Sequence, residues 1–464
     1  MIILSILLIL LAVFFAIRPV KVWKFSLNMV TGPLFVLLIF ALFGQVDHSV
    51  IIDAIRGIDG LQPWKILIIF FAMAYITISV DITGLFEWIA YKIVKFSKNS
   101  GVRLFFFFYF FASVLTIFTS NDIVILTLTP IIYYVGKHTK TNIIHLLFAE
   151  FFAANIWSMA LYVGNPTNII VASALDLQFL EYFKVMIFPT IAAGFVNLGL
   201  LYIIFRKAIH KRFNLKIEKD VEVKSKLDAF ISTFALLLCL LSLGFAPKLG
   251  LEIWQICAIF AVFFVIEDNI FGYYYFKKEL AIMKVTEEKV KDIMNLQGLR
   301  HPTKIHQFYS ATNRMPWILL PFIVCFFIFV NVLLNLGVVD YLAISLSSLT
   351  TSLPMTILVF GLISILLANL INNQPMTILL ASVLVNSNFS TEFSDGAAYA
   401  LIAGSNIGAN LTLLGALAGL MWSKLLKNKG VKISYMEFFK KGILVTPLVY
   451  LVTLGTLYLV LNYA

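Results

Sequence analysis

Charge is scarce in this chain. Asp, Glu, Lys and Arg make up 13% of its 464 residues, where a soluble domain carries about 25%. Hydrophobic residues fill 61% and the mean hydropathy is +0.95, more apolar surface than a water-exposed fold can hide. A soluble enzyme, a secreted scaffold and a disordered chain are excluded, and an integral membrane protein is left. Cysteine is nearly absent. Cys239, Cys257 and Cys325 stand far apart in apolar runs with no CxxC spacing, so they read as small core residues, with no disulfide frame or metal site. There is no HExxH helix, GxSxG elbow, Walker loop or GxGxxG before a strand. No acid pair, and no nucleophile with its base, stands at matching depth. The chain is therefore read as no enzyme, with no catalytic residue, bound metal or cofactor. The net charge of +11 fits loops facing an anionic inner leaflet, and no nucleic-acid partner is expected.

What is present is length for about ten crossings at roughly 20 residues each. Single spans are expected near 1–17, 28–45, 64–83, 143–173, 183–205, 228–246, 251–268, 316–336, 398–423 and 442–462. The stretches 104–135 and 353–386 are short for two crossings and carry a polar break, so each reads as a re-entrant hairpin. With the first terminus outside, four of the 35 Lys and Arg, namely Arg56, Lys65, Lys184 and Lys248, fall outside or at outer span edges. The rest lie within, as the positive-inside rule asks. The expected location is the cell membrane, multi-pass, with both termini outside. The first segment has its basic residues after it, the reverse of a secretory signal, and reads as a retained span. Residues 206–227 form a basic cytoplasmic linker and 269–315 a cytoplasmic loop, where Ile282, Val285 and Ile293 space a surface helix.

The second half echoes the first at an offset of about 250 residues. Ser120-Asn121-Asp122 corresponds to Asn372-Asn373-Gln374, Asn155 to Asn406 and Gly164 to Gly415. The domain reading follows: 1–27 is a first span and basic inner loop, and 28–205 is repeat 1. Repeat 2 starts with spans in 228–268 and is completed by 316–464. Stretch 85–98 is an amphipathic helix with lysines, and its counterpart 338–353 has none. The first hairpin enters from inside and the second from outside. Inverted repeats with interrupted helices are the architecture of secondary transporters, so the fold class is an all-α inverted-repeat transporter.

Non-helical backbone at membrane depth is tolerated only where it lines a cavity or protein interior. Four breaks qualify: Ser120-Asn121-Asp122, Gly164 to Asn168, Asn372 to Pro375, and Gly404 to Thr412. Helix N-termini at such breaks hold anions or polar solutes, while freed carbonyls and Asn oxygens hold cations. The expected binding residues are Ser120, Asn121, Asn155, Gly164, Asn165, Thr167, Asn168, Asn372, Asn373, Gln374, Asn406, Asn410 and Thr412. Asp122, a carboxylate at membrane depth costing about 3 kcal/mol on insertion scales, is the expected proton or cation carrier. Glu150, in the run LLFAEFFAAN, is a second. His145 reads as interfacial, and Asp81 as the capped end of a span.

SNDIVILTLTPII at 120–132, FAANIWSMALYVGNPTNIIVAS at 152–173, INNQPMTILL at 371–380 and GSNIGANLTLLGALAGLMW at 404–422 resemble the ion transporter superfamily. The nearest type is the ArsB-type arsenite/antimonite permeases, with NhaD-type sodium/proton antiporters and divalent-anion/sodium symporters as cousins. The resemblance, from about residue 60 to 460, implies ten spans and two hairpins. It matches Ser120, Asn121 and Asp122 to the first hairpin motif, Asn372 to Pro375 to the second, and Asn155 and Asn406 to the flanking unwound helices. The dicarboxylate branch has Ser-Asn-Thr at both tips, where this chain has Asp122 at the Thr position. The expected function is proton-coupled efflux of arsenite or antimonite through a midplane site between the tips, with H+ or Na+ as coupling ion. Sodium/proton antiport and organic-anion transport stand as alternatives, and a membrane enzyme or receptor as the different class. Partners are a small inorganic or organic solute and the lipid bilayer, with a homodimer or a cytoplasmic ATPase partner compatible with the reading.

Overall fold

The computed structural model describes residues 1–57, 61–139, 142–210, 223, 225–283, 307–387 and 389–463. By internal contacts the chain divides into two compact units. Residues 1–67, 93–216 and 317–464 form the larger, and residues 68–92 and 217–316 the smaller.

Helix dominates because each helix satisfies its own backbone, which apolar surroundings demand. Among the described residues the one sheet is a two-stranded antiparallel ribbon, Val20–Val22 with Phe25–Leu27, paired Val20 to Leu27 and Val22 to Phe25. Trp23, at φ 53°, makes its turn. Among the described residues eight helices are long and apolar enough to cross a membrane. Six of them are expected single spans, and two, Gly101–Phe118 and Leu353–Ile371, lie in the expected hairpins. The spans expected at 1–17 and 28–45 are the shorter helices Ile2–Ile17 and Thr31–Leu42, and two others are broken in the middle.

The first broken helix runs Ile144–Trp157, passes through the 3-10 turn Tyr162–Gly164, and resumes at Pro166–Ala174. The second runs Thr391–Gly408 and resumes at Leu417–Asn428. The first hairpin consists of Gly101–Phe118 and Asn121–Thr139, and the second of Leu353–Ile371 and Asn373–Val385.

Packing in the larger unit repeats itself. Each hairpin's entry arm lies along the first half of the broken helix in its own repeat: Gly101–Phe118 on Ile144–Trp157, and Leu353–Ile371 on Thr391–Gly408. Each return arm packs on the second half of the other repeat's broken helix: Asn121–Thr139 on Leu417–Asn428, and Asn373–Val385 on Pro166–Ala174. The repeats are thus interlocked. Two long helices, Phe179–Ile209 and Tyr435–Tyr463, pack together behind them, each with an interior proline, Pro189 and Pro447. At 31 residues and a rise of about 1.5 Å each, the first outruns the roughly 30 Å hydrocarbon core.

The smaller unit is built on Lys226–Gly244 and Ile253–Met283, reversed through the short helix Ala246–Leu249 and Gly250 at φ +64°. Most of Pro63–Ile82 and the helix Gln307–Arg314 complete it. Phe230, Phe234 and Leu241 are exposed on one stripe of Lys226–Gly244, the side expected against lipid.

Three expectations change. The loop expected at 269–315 begins later, because Ile253–Met283 stays helical past its apolar stretch. Hydropathy reports where the hydrocarbon ends, and helical hydrogen bonds do not stop there. Ile282 belongs to this helix, while Val285, Ile293 and most of 206–227 lie outside the described residues. His145 is buried, its ring 6.5 Å from that of Phe105, so it is a core residue. Asp81 is an ion-pair partner of Arg314.

Candidate functional site

Asn406 is the hub of a buried carboxamide network in the larger unit. Its Oδ1 accepts from Ser158 Oγ and from Asn165 Nδ2, both at 2.7 Å. Its Nδ2 donates to Asn168 Oδ1 and to the Ile402 carbonyl, both at 2.8 Å. All four hydrogen-bonding positions of this fully buried side chain are filled, as burial without water requires. Alongside, Ser405 Oγ donates to Thr167 Oγ1 at 2.9 Å, and Asn168 Nδ2 donates to the Ser158 carbonyl at 2.8 Å. Residues from both repeats are therefore bonded break to break.

The breaks fall where local chemistry stops the helix. Asn165 caps the resumed helix by accepting from the Thr167 amide at 3.1 Å, with Pro166 in its first turn, a position that needs no N–H. Gly164 faces the Ser158 carbonyl, where an added Cβ would come within 2.3 Å. Gly415, its repeat counterpart, faces the Gly408 carbonyl at 2.7 Å in the same way. The second break starts at Ala409, later than the expected Gly404. Ser405 and Asn406 stay helical because their side chains bond back to the Ile402 carbonyl within the same helix. In the first repeat the break spans 158–165, so Pro166, Thr167 and Asn168 belong to the following helix.

The hairpin tips join this network separately. Asn121 Nδ2 donates to Asn155 Oδ1 at 3.0 Å, and Asn155 Nδ2 to Asn410 Oδ1 at 2.9 Å. At the second tip the helix ends on Asn372, whose φ of +71° is left-handed, a region that Asn tolerates better than most residues. Its Nδ2 donates to the Leu414 carbonyl at 3.1 Å, while its Oδ1 accepts from the Gln374 amide at 3.4 Å. Both tips thus reach the second break, Asn372 directly at Leu414 and Asn121 through Asn155 to Asn410. This sets the register of the repeat at 251 residues, the spacing from Asn155 to Asn406, Gly164 to Gly415 and Asn121 to Asn372. Asp122 then corresponds to Asn373, one residue off the pairing expected from the motifs alone.

Three tip side chains have open valence. Asp122 lies in the first turn of its helix, 9% exposed, and its carboxylate has no hydrogen-bond partner among the described residues. Asn373 Oδ1 and Gln374 Oε1 are buried without a donor. Glu150, deeper in the first broken helix, accepts from Thr129 Oγ1 at 2.8 Å through one oxygen and has no donor for the other. Ser120 is half-buried, its carbonyl accepting from the Val124 amide at 3.1 Å. Thr412 donates to Asn369 Oδ1 at 2.7 Å.

Sequence reasoning passed over Ser158, Thr129, Ser405 and Asn369, which tie these groups together. Ser158 and Ser405 stood inside quoted motifs. Asn369 sits in the run LLANLINN with no cue but its proximity to the tip. A cavity of about 50 Å³ opens elsewhere in the same unit, lined in part by Asp53, Asn331, Ser382 and Asn386. None of the residues picked from sequence lines it.

Comparison with known proteins fits this architecture. Residues 6–404 match the family described as "CitMHS: Citrate transporter". The "Arsenical pump membrane protein" of Escherichia coli (strain K12) is 27% identical over 406 residues, 86% of this chain and 87% of that protein. The protein of that name from Yersinia enterocolitica is 28% identical over 407 residues, 86% and 87% of the two chains. A "46 kDa membrane protein" of Mycobacterium leprae (strain TN) is 25% identical over 414 residues, 88% of this chain and 87% of its own. Among solved structures, the Alcanivorax borkumensis YdaH transporter aligns over 100% of this chain and 98% of its own. Its TM-score is 0.54 at 14% identity, a likeness of fold. The resemblance to the ArsB-type permeases read from four motifs agrees with these relatives. Interrupted helices, paired hairpins and a family match over most of its length make this chain a multi-pass membrane transporter of the citrate transporter family.

Proposed function

We propose that the chain exports arsenite or antimonite as the neutral trihydroxy acid, in exchange for protons, from a site at the hairpin tips. The observation that carries this reading is the pair of buried acceptors without donors, Asn373 Oδ1 and Gln374 Oε1. A buried oxygen in that state calls for an O–H or N–H from the ligand. Arsenous acid brings three hydroxyls, whereas an ionised carboxylate brings none. Amides and hydroxyls surround the tips, and among the described residues no Lys or Arg side chain hydrogen-bonds into the network, which favours a neutral solute over an anion. The arsenical-pump names of the relatives point the same way.

Proton exchange is assigned to Asp122, with Glu150 as a second protonatable group. A carboxyl without a donor in apolar surroundings holds its charge poorly, so it gains or loses a proton as the solute leaves or arrives. The positive-inside distribution supports both termini lying outside the cell membrane. A second reading, organic-anion transport, is favoured by the family description and by the helix N-termini at Asn121, Pro166 and Asn373, which suit an anion.

The deciding experiment is arsenite uptake into inside-out vesicles under an imposed proton gradient, with sodium, succinate and citrate as controls. Gradient-driven arsenite accumulation that disappears in Asp122→Asn is the expected result. Citrate or succinate movement without arsenite movement transfers the function to organic anions, and sodium movement alone transfers it to antiport.

A further inference from the structure

The cavity away from the tips is framed by three elements of the larger unit. Leu319–Asn335 packs against both His48–Arg56 and Asn373–Val385, the return arm of the second hairpin. Asp47 starts the first of these by accepting from the Val50 amide at 2.9 Å. Gly57, at φ 92°, ends it and turns the chain along the cavity wall.

Four polar side chains line the space, Asp53, Asn331, Ser382 and Asn386, among apolar ones such as Phe327 and Leu334. Three of the four are pinned by one bond and keep the rest of their valence. Asn331 Oδ1 accepts from Asn335 Nδ2 at 3.3 Å. Its own Nδ2 has no acceptor among the described residues, although the side chain is only 9% exposed. Ser382 Oγ donates to the Ile378 carbonyl at 3.0 Å, which leaves it as an acceptor. Asn386 Nδ2 donates to the Ser382 carbonyl at 2.8 Å, which leaves its Oδ1. The Asp53 carboxylate has neither a hydrogen bond nor an ion pair among the described residues.

A buried N–H without a partner is costly, and the acceptors beside it need protons. Their complement both gives and takes hydrogen bonds. An anion is opposed by Asp53. A hard cation gathers about six oxygens and is opposed by the Asn331 N–H. Hydroxyl groups satisfy both kinds of atom. At about 50 Å³ the space takes about four waters, or one solute of about four non-hydrogen atoms.

We propose that this cavity is a second binding site for the carried solute, a small uncharged polyhydroxy molecule. It extends the reading of the tips as a site for such a solute, and rests on it. One helix joins the two places. Asn373 and Gln374 open Asn373–Val385, and Ser382 lies in its last turn, about 14 Å further along. The arm thus carries solute-binding oxygens at both ends.

The test is equilibrium dialysis of radiolabelled arsenite against the full chain in lipid nanodiscs. The wild type is expected to bind two equivalents. Asn331→Leu, which trades the N–H for hydrocarbon, loses one of them. Asn373→Ala weakens the other about tenfold, the worth of one hydrogen bond, and leaves the first unchanged. Binding that Asn331→Leu keeps in full, whether one equivalent or two, overturns the cavity site and leaves the tips intact. A single equivalent lost in Asn331→Leu and indifferent to Asn373→Ala removes the tips and leaves the cavity. No binding by the wild type removes both. Sodium that displaces arsenite from the cavity alone makes its occupant a cation and overturns the proposal. Should Asn331→Leu not fold, Asp53→Ala takes its place at an exposed position with no partner to lose. It should weaken the same equivalent about tenfold, and an unchanged affinity overturns the proposal equally.

Discussion

The two hairpins share a backbone plan and differ in chemistry. In both, an asparagine at the tip reaches a break, Asn121 through Asn155 and Asn372 through the Leu414 carbonyl. The next repeat position is Asp122 in the first and Asn373 in the second, a carboxylate facing its own amide isostere across the repeat. Among the described residues neither the Asp122 carboxyl nor Asn373 Oδ1 has a hydrogen-bond partner. The repeat has therefore preserved what holds the tips and divided what they offer: a carboxyl on one side, neutral acceptors on the other. Pseudo-symmetry here belongs to the scaffold.

Making the tips alike is the largest expected break in that comparison. Asp122→Asn gives both hairpins an amide, and proton-driven flux should fall about 100-fold, the loss expected when a proton-transfer group goes. Its thermal unfolding midpoint should stay close to the wild type, because no partner is lost. Flux that remains pH-driven would remove the functional difference between the tips. Next in size, Asn406→Ala strands Ser158, Asn165 and Asn168 and should cost about 2–3 kcal/mol of stability. A denaturation series checks this, and a loss under about 0.5 kcal/mol would mean that the network does not hold the breaks together.

Asn373→Ala sharpens the contrast. It should raise the KM for the solute about tenfold, the worth of one good hydrogen bond, with little change in stability. Asn121→Ala should instead lose about 1 kcal/mol of stability by unpairing Asn155. An equal stability loss in both would mean that Asn373 is structural. The smallest effect belongs to Asn372→Gly. Its φ of +71° suits glycine, so losing the bond to Leu414 is partly offset, leaving about 0.5 kcal/mol. Asn372→Val, β-branched at positive φ, should cost several times more.

The spans and breaks were legible because apolar length and clustered Asn, Gly and Pro are direct consequences of the bilayer. Helices Pro63–Ile82 and Leu353–Ile371 fall within a residue of their expected starts. Exact break positions were not legible. Asn406 looks like a helix breaker in sequence, yet it remains helical by bonding back to Ile402, a choice set by the surrounding network. The buried Glu267 of the smaller unit was also passed over, since it sits near the edge of an apolar run and reads there as an ordinary span boundary. Only the fold brings Glu267 to the hydroxyl of Ser232, 35 positions before it.

The small ribbon at Val20–Leu27 carries a different kind of consequence. Its turn holds Trp23 87% exposed and Phe25 73% exposed, with Lys24 Nζ 5.5 Å from the Trp23 ring. Such an aromatic–cation pair settles at the level of lipid headgroups. It is a waterline for the unit that contains the hairpins: where the ribbon floats, the tips take their draught.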